Sequence, residues 1–146
     1  MQQTDEFYMR QALREAEKAF EMGEVPIGAV LVIGDRIVAR AHNQVELLKD
    51  PTAHAEVMAI TAACDFMGAK YLPEATLFIT LEPCLMCSGA LYWSKIGRVV
   101  FGASDPKNGY GRQVNTTPFH PKTKVQSGLL EKEALELMQS FFKNRR

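Results

Sequence analysis

Three cysteines in 146 residues are too few, and odd in number, to build a disulfide framework, and two of them, Cys84 and Cys87, stand as a C-x-x-C pair. Such usage fits a reducing compartment and a metal better than a crosslinked secreted scaffold. Excess charge is missing as well: 17 Lys and Arg balance 17 Asp and Glu. Bulk charge therefore gives no argument for a general nucleic-acid coat, and a polyanionic partner has to be met by a local patch. No apolar run approaches the roughly 20 residues that span a bilayer. The opening Met1-Gln2-Gln3-Thr4-Asp5-Glu6 lacks the basic start and apolar stretch of a signal peptide. Internal repeats and low-complexity linkers are absent too. A soluble cytoplasmic protein without a membrane segment is expected, and the length suits one domain, residues 1–146, whose core needs no disulfide.

What is present alternates between helical and extended patterns. After Thr4, a cap residue, Met9, Ala12, Leu13, Ala16, Ala19 and Phe20 recur at the spacing of one helix face, and Gly23 ends the run. Two extended stretches, 27–33 and 36–41, flank Gly34-Asp35 and predict an antiparallel hairpin. Residues 43–49 read as polar and irregular. Asp50-Pro51 predicts a helix start with proline at the first position and His54 in the first turn. Val57, Met58, Ile60, Thr61, Ala62, Cys64 and Met67 are spread almost all round that helix, which predicts burial against a sheet and makes Cys64 a small buried thiol. Residues 75–80 read as a central strand covered on both faces. Glu82-Pro83 ends it and opens a helix with Cys84 and Cys87 on one side of its first turn. Residues 97–102 form the next strand, joined to 75–80 by a right-handed crossover. Residues 103–124 read as a long loop with a short helix, the kind of loop that usually carries function. A short strand at 124–126 and a final helix with Leu130, Ala134, Leu137, Met138 and Phe141 on one face complete the chain.

Chemistry concentrates in His54-Ala55-Glu56 and Pro83-Cys84-Leu85-Met86-Cys87. One imidazole and two thiolates are good zinc ligands, and three protein ligands leave the fourth tetrahedral position to water or substrate. Two helix starts converging on one ion favour the thiolate form that zinc requires. Zinc lowers the pKa of a water it holds from ~9 to roughly 7. Glu56, two residues from His54 and not needed as a ligand, is placed to take that proton and pass it on, which makes it the candidate catalytic residue. The competing reading is a structural zinc knot closed by a fourth ligand from Glu56, His42, His120 or Cys64. A C-x-x-C pair alone would also suit a redox role. Structural sites commonly pair their ligands closely, whereas here His54 comes alone beside a surplus carboxylate.

H-x-E followed by P-C-x-x-C is the recognised signature of the zinc nucleobase deaminases, so this step rests on resemblance. Beyond it, Val25-Pro26-Ile27-Gly28-Ala29-Val30, Asp50-Pro51-Thr52-Ala53-His54-Ala55-Glu56, Thr80-Leu81-Glu82-Pro83-Cys84-Leu85-Met86-Cys87, Ile96-Gly97-Arg98-Val99-Val100-Phe101-Gly102-Ala103 and Phe141-Phe142 resemble the bacterial tRNA adenosine deaminases. That resemblance implies an α/β fold of three layers, α/β/α, with a mixed five-stranded sheet flanked by helices, as in cytidine deaminases. It implies hydrolysis of adenosine to inosine at the first anticodon position, with water as co-substrate and ammonia released. His54, Cys84 and Cys87 would hold Zn2+ and Glu56 would move protons. Val25 and the Ala55 backbone would border the base, Asn43 the nucleoside, and Asp105 and Lys107 the anticodon backbone of the tRNA. A homodimer is implied too.

Gly109-Tyr110-Gly111-Arg112-Gln113 departs from the small-residue stretch common in that family. Ala90-Leu91-Tyr92-Trp93 resembles guanine deaminases, so a free base or nucleoside substrate, of guanine or cytosine type, stays open beside the tRNA reading. So does a non-catalytic zinc-stabilised binding module. Lys143, Arg145 and Arg146 read equally as phosphate contacts or as solvated partners of the helix dipole. Phe141 and Phe142 cannot both face the core, so one stacks on a base or meets a second subunit.

Overall fold

The helical period that starts at Thr4 becomes α1 (Asp5–Glu21), and Thr4 is its cap, with Oγ1 accepting from the Phe7 N–H at 3.1 Å. The structure, a computed structural model, describes residues 3–144, so Arg145 and Arg146 lie outside the described residues. The hairpin follows as β1 (Gly28–Ile33) and β2 (Arg36–His42). Gly34 and Asp35, at φ 51° and 61°, are both left-handed, the pair of signs that a two-residue turn matching strand twist requires.

After α2 (Val45–Leu48) and α3 (Ala55–Met67) come β3 (Ala75–Leu81), α4 (Leu85–Ser94), β4 (Arg98–Ala103), α5 (Tyr110–Gln113), β5 (Lys124–Ser127) and α6 (Glu131–Lys143). The sheet runs β2-β1-β3-β4-β5, with β1 antiparallel to both neighbours and β3, β4 and β5 parallel. It is the mixed five-stranded sheet expected. Register puts Leu31 opposite Leu77 and Leu77 opposite Val99, while Val30, Phe78 and Val100 align one residue along. The two rows face opposite sides. Leu31, Leu77 and Val99 pack with Ala55, Ala59, Ala63 and Leu91 of α3 and α4, and Val30, Phe78 and Val100 pack with Tyr8, Met9 and Ala12 of α1. Ala134 of α6 joins Leu13, Leu81 and Ala103 on the α1 side. Three layers result.

Three expectations are corrected. The 43–49 stretch is not irregular: α2 forms there and stops at Lys49, which is left-handed. Asp50-Pro51 does not start a helix. Asp50 Oδ1 accepts from both Thr52 N–H and Thr52 Oγ1, which ties 50–52 into a turn, and α3 begins at Ala55 with His54 as its N-cap. Nor is α3 buried all round: Thr61, Ala62, Phe66 and Met67 are exposed, and Cys64 is half-buried.

Gly28 shows how closely α1 lies on the sheet. A Cβ there would sit 2.1 Å from Ala12 O and 2.3 Å from Ala16 N, both backbone atoms that move only with the whole helix. Gly28→Ala is therefore expected to destabilise the fold by about 3 kcal/mol, read as a lower urea midpoint at unchanged slope.

Candidate active site

The carboxyl ends of the parallel pair β3 and β4 lie together, Leu81 opposite Ala103, and the Glu82 N–H donates to Ala103 O at 2.8 Å. Open α/β sheets bind ligands at such strand ends. Two helices start here, each on a side chain that could ligate a metal. His54 caps α3 and Cys84 caps α4, both in extended backbone. Cys87 follows in the first turn of α4.

His54 Nδ1 lies 3.7 Å from Cys84 Sγ and 3.5 Å from Cys87 Sγ. A tetrahedral ion with bonds of about 2.3 Å to sulfur and 2.0–2.1 Å to nitrogen separates such ligands by about 3.6 Å, so the donors fit a metal ion. Among the described residues these are the only three grouped within 4.8 Å of one another in this way. Of the proposed fourth ligands, Glu56 lies beside the cluster and the other three fall elsewhere. His42 Nδ1 lies 3.1 Å from Asn43 O, His120 Nδ1 accepts from the Lys122 N–H while its ring leans on Tyr92, and Cys64 packs against the α3 side of the core.

The electrostatics suit the same use. A hydrogen bond from the Cys87 thiol, with help from His54, brings the Cys84 thiol down to about 4, which favours its thiolate form. Donating to Cys84 pushes Cys87 well up, and burial adds to that. The Cys84 contact also raises His54. Glu56 is buried in the first turn of α3, and burial lifts its carboxyl to about 7, poised between acid and base. Its Oε1 has no hydrogen-bond partner, an orphan of the kind that marks a working group.

A cleft of about 590 Å³ opens beside this cluster, and its lining includes His54, Glu56, Cys84, Val25, Asn43, Asp105 and Lys107. Cys87 and Ala55 lie behind it, both fully buried. Ala55 N–H donates to Asn43 Oδ1 at 2.8 Å, so a residue of the cleft wall caps the helix that carries Glu56. Phe142, exposed, lines the cleft edge, whereas Phe141 turns inward against Phe20.

Three lining carboxylates, Glu24, Glu46 and Glu82, have no site role in the sequence reading. Glu24 accepts from the N–H groups of Glu46 and Leu47 at 3.0 and 2.8 Å and fixes the start of α2. Glu82 accepts from Asp105 and Gly111. Only the place of Glu82 two residues before Cys84 could have drawn notice; Glu24 carries no local signal.

The profile of the MafB19-like deaminases matches residues 3–146. A tRNA-specific adenosine deaminase of Bacillus subtilis (strain 168) is 49% identical over 97% of this chain and 91% of that protein. A solved structure from work on A-to-I editing by tRNA:A34 deaminases at the wobble position of transfer RNA superposes with TM-score 0.84 at 44% identity, covering 90% of this chain and 98% of that one. A guanine deaminase from Bacillus subtilis is 38% identical at TM-score 0.67, over 70% of this chain and 66% of that one. With near-complete coverage on both sides, the chain belongs to the tRNA-specific adenosine deaminases among the MafB19-like deaminases.

Proposed function

We propose that this protein hydrolyses adenosine to inosine at the wobble position of a tRNA anticodon, with zinc held by His54, Cys84 and Cys87 and Glu56 moving the protons. The observation that carries the chemistry is the buried Glu56 carboxyl, with an unpartnered oxygen, beside three ligand atoms at tetrahedral spacing. When bound there, zinc acidifies water and so supplies a nucleophile near neutral pH. Glu56 takes one proton from the attacking water as its oxygen bonds to C6 and delivers it to ring N1. It then carries the second proton to the exocyclic amine, the C6–N6 bond breaks, and ammonia leaves.

The anticodon loop offers its base unpaired, so no duplex has to be opened. Val25 and Asn43 border the nucleoside, with Ala55 behind them. Phe142 is the ring free to stack, and Asp105 and Lys107 meet the backbone of the loop. A homodimer is part of the same proposal: α3 leaves Phe66 and Met67 exposed, and α4 leaves Leu85, Met86, Tyr92 and Trp93 exposed, Trp93 at 71%. Apolar groups of that size on neighbouring helices suit a subunit contact. No helix among the described residues is long and apolar enough to cross a membrane, and a cytoplasmic setting with tRNA and reduced thiols fits this reading.

Incubation with total tRNA, followed by sequencing, is expected to convert A to G reads at position 34 of at least one tRNA. Guanine consumed while every anticodon adenosine survives would move the reading to the free-base deaminases.

A further inference from the structure

Among the described residues, Lys107 is the single lysine or arginine that lines the cleft, whose lining also includes five carboxylates, Glu24, Glu46, Glu56, Glu82 and Asp105. A polyanionic loop entering that cleft depends on where Lys107 stands. Its backbone is held by a relay. The N–H groups of Lys107 and Asn108 both donate to Asp105 Oδ1 at 3.0 Å, and the Asp105 N–H donates to Glu82 Oε1 at 2.9 Å. Glu82 Oε2 accepts from the Gly111 N–H at 2.7 Å. One buried carboxylate thus grips both ends of the segment that presents Lys107.

Two glycines of the 109–113 stretch belong to this grip. A Cβ at Gly109 would lie 2.4 Å from Glu82 Cδ and 2.5 and 2.6 Å from its oxygens, and one at Gly111 would lie 3.0 Å from Oε2. Gly109 has ordinary φ and ψ of −68° and 155°, so the lack of a side chain there answers to space and not to backbone strain. The carboxylate end could swing aside in isolation, but here it would surrender two charge-assisted bonds inside a buried site. The loop is further tied to the metal-ligand segment, since Gly109 bridges Cys84 and the Tyr110 N–H donates to Pro83 O at 2.9 Å.

We infer that Glu82 is a positioning residue for RNA recognition: through the amides of Asp105 and Gly111 it fixes Lys107 over the cleft for a phosphate of the substrate, without touching the reacting base. This rests on the tRNA reading above. The test uses the zinc-loaded full chain and an anticodon stem-loop RNA. Glu82→Ala is expected to raise KM about tenfold or more while kcat stays within about threefold, the pattern of lost binding and not of lost chemistry. Zinc content should not change. The slope of log affinity against log salt should become shallower by about 0.7, one phosphate contact on a single strand. Lys107→Ala should match that change, and the double variant should add nothing.

Glu82→Gln, which keeps one acceptor oxygen, should fall between wild type and Glu82→Ala. Should Glu82→Ala fail to fold, Gly109→Ala probes the same contact from the other side, with the same KM rise and the same shallower slope. In a folded Glu82→Ala background it should add less than twofold, because the carboxylate it strikes is gone. A fall in kcat at unchanged KM, loss of zinc, or an unaltered salt slope overturns the assignment. A wild-type protein that leaves the stem-loop unedited overturns the tRNA reading instead, and the two failures are read from separate lanes.

Discussion

Glu56→Gln should yield a folded, zinc-loaded protein whose ammonia release on tRNA is lower by about 10³-fold, which corresponds to about 4 kcal/mol of transition-state stabilisation. Glutamine keeps the shape and volume of the side chain, but it can neither take a proton from water nor return one to the ring. The effect is large because both transfers run through the same carboxyl. Stability should move the other way, or not at all. Burial lifts the Glu56 carboxyl to about 7 and leaves one oxygen unpartnered, so the fold gains little from holding it. A neutral amide in that place costs less desolvation than a carboxylate. Activity lost at an equal or higher melting temperature is the expected pair of readouts, and it separates a proton shuttle from a structural carboxylate. A zinc-stabilised binding module would instead keep its function in this variant.

Cys87→Ala should abolish both metal and turnover. Cys87 is fully buried, and with three protein ligands its loss leaves only His54 and Cys84. Zinc per chain, measured by mass spectrometry, is expected to drop from one to near zero. Thermal melting supplies an independent readout. An ion held at a thousand times its dissociation constant stabilises the fold by about 4 kcal/mol, so a chelator should lower the melting temperature of the wild type. It should leave that of Cys87→Ala where it was. Cys64→Ala, outside the cluster, should retain both zinc and chelator sensitivity. Persistent stoichiometric zinc in Cys87→Ala would require a different ligand set.

Most of the frame was legible because it rests on short-range pattern. The Gly34-Asp35 turn, the doubly covered 75–80 strand and the P-C-x-x-C helix start each follow from residues a few positions apart. That His54, Cys84 and Cys87 belong together was legible from residue type and spacing, and the fold brings the three side chains to one place. What escaped depends on contacts between distant segments. The start of α3 was misplaced because its cap is Asn43, twelve residues upstream, while the nearer Asp50 spends its carboxylate on Thr52. The first turn of α2 is held by Glu24, over twenty residues away, and the loop at 105–111 by Glu82. Carboxylate-to-amide bonds of that kind leave no periodicity behind. Nor does a sequence show that the outward faces of α3 and α4 stay apolar in a single chain, since the pattern of a helix buried in a core and of one covered by another subunit is the same.

Helices α3 and α4 each begin on a residue whose side chain belongs to the shared cluster. Ordinarily a hydroxyl or carboxamide there would secure each opening turn separately, and each would fray on its own. Here Asn43 holds the first turn of α3, and a metal held by His54, Cys84 and Cys87 would add one clasp common to both. With it in place the two turns would tighten or loosen together, although they come from stretches of chain thirty residues apart.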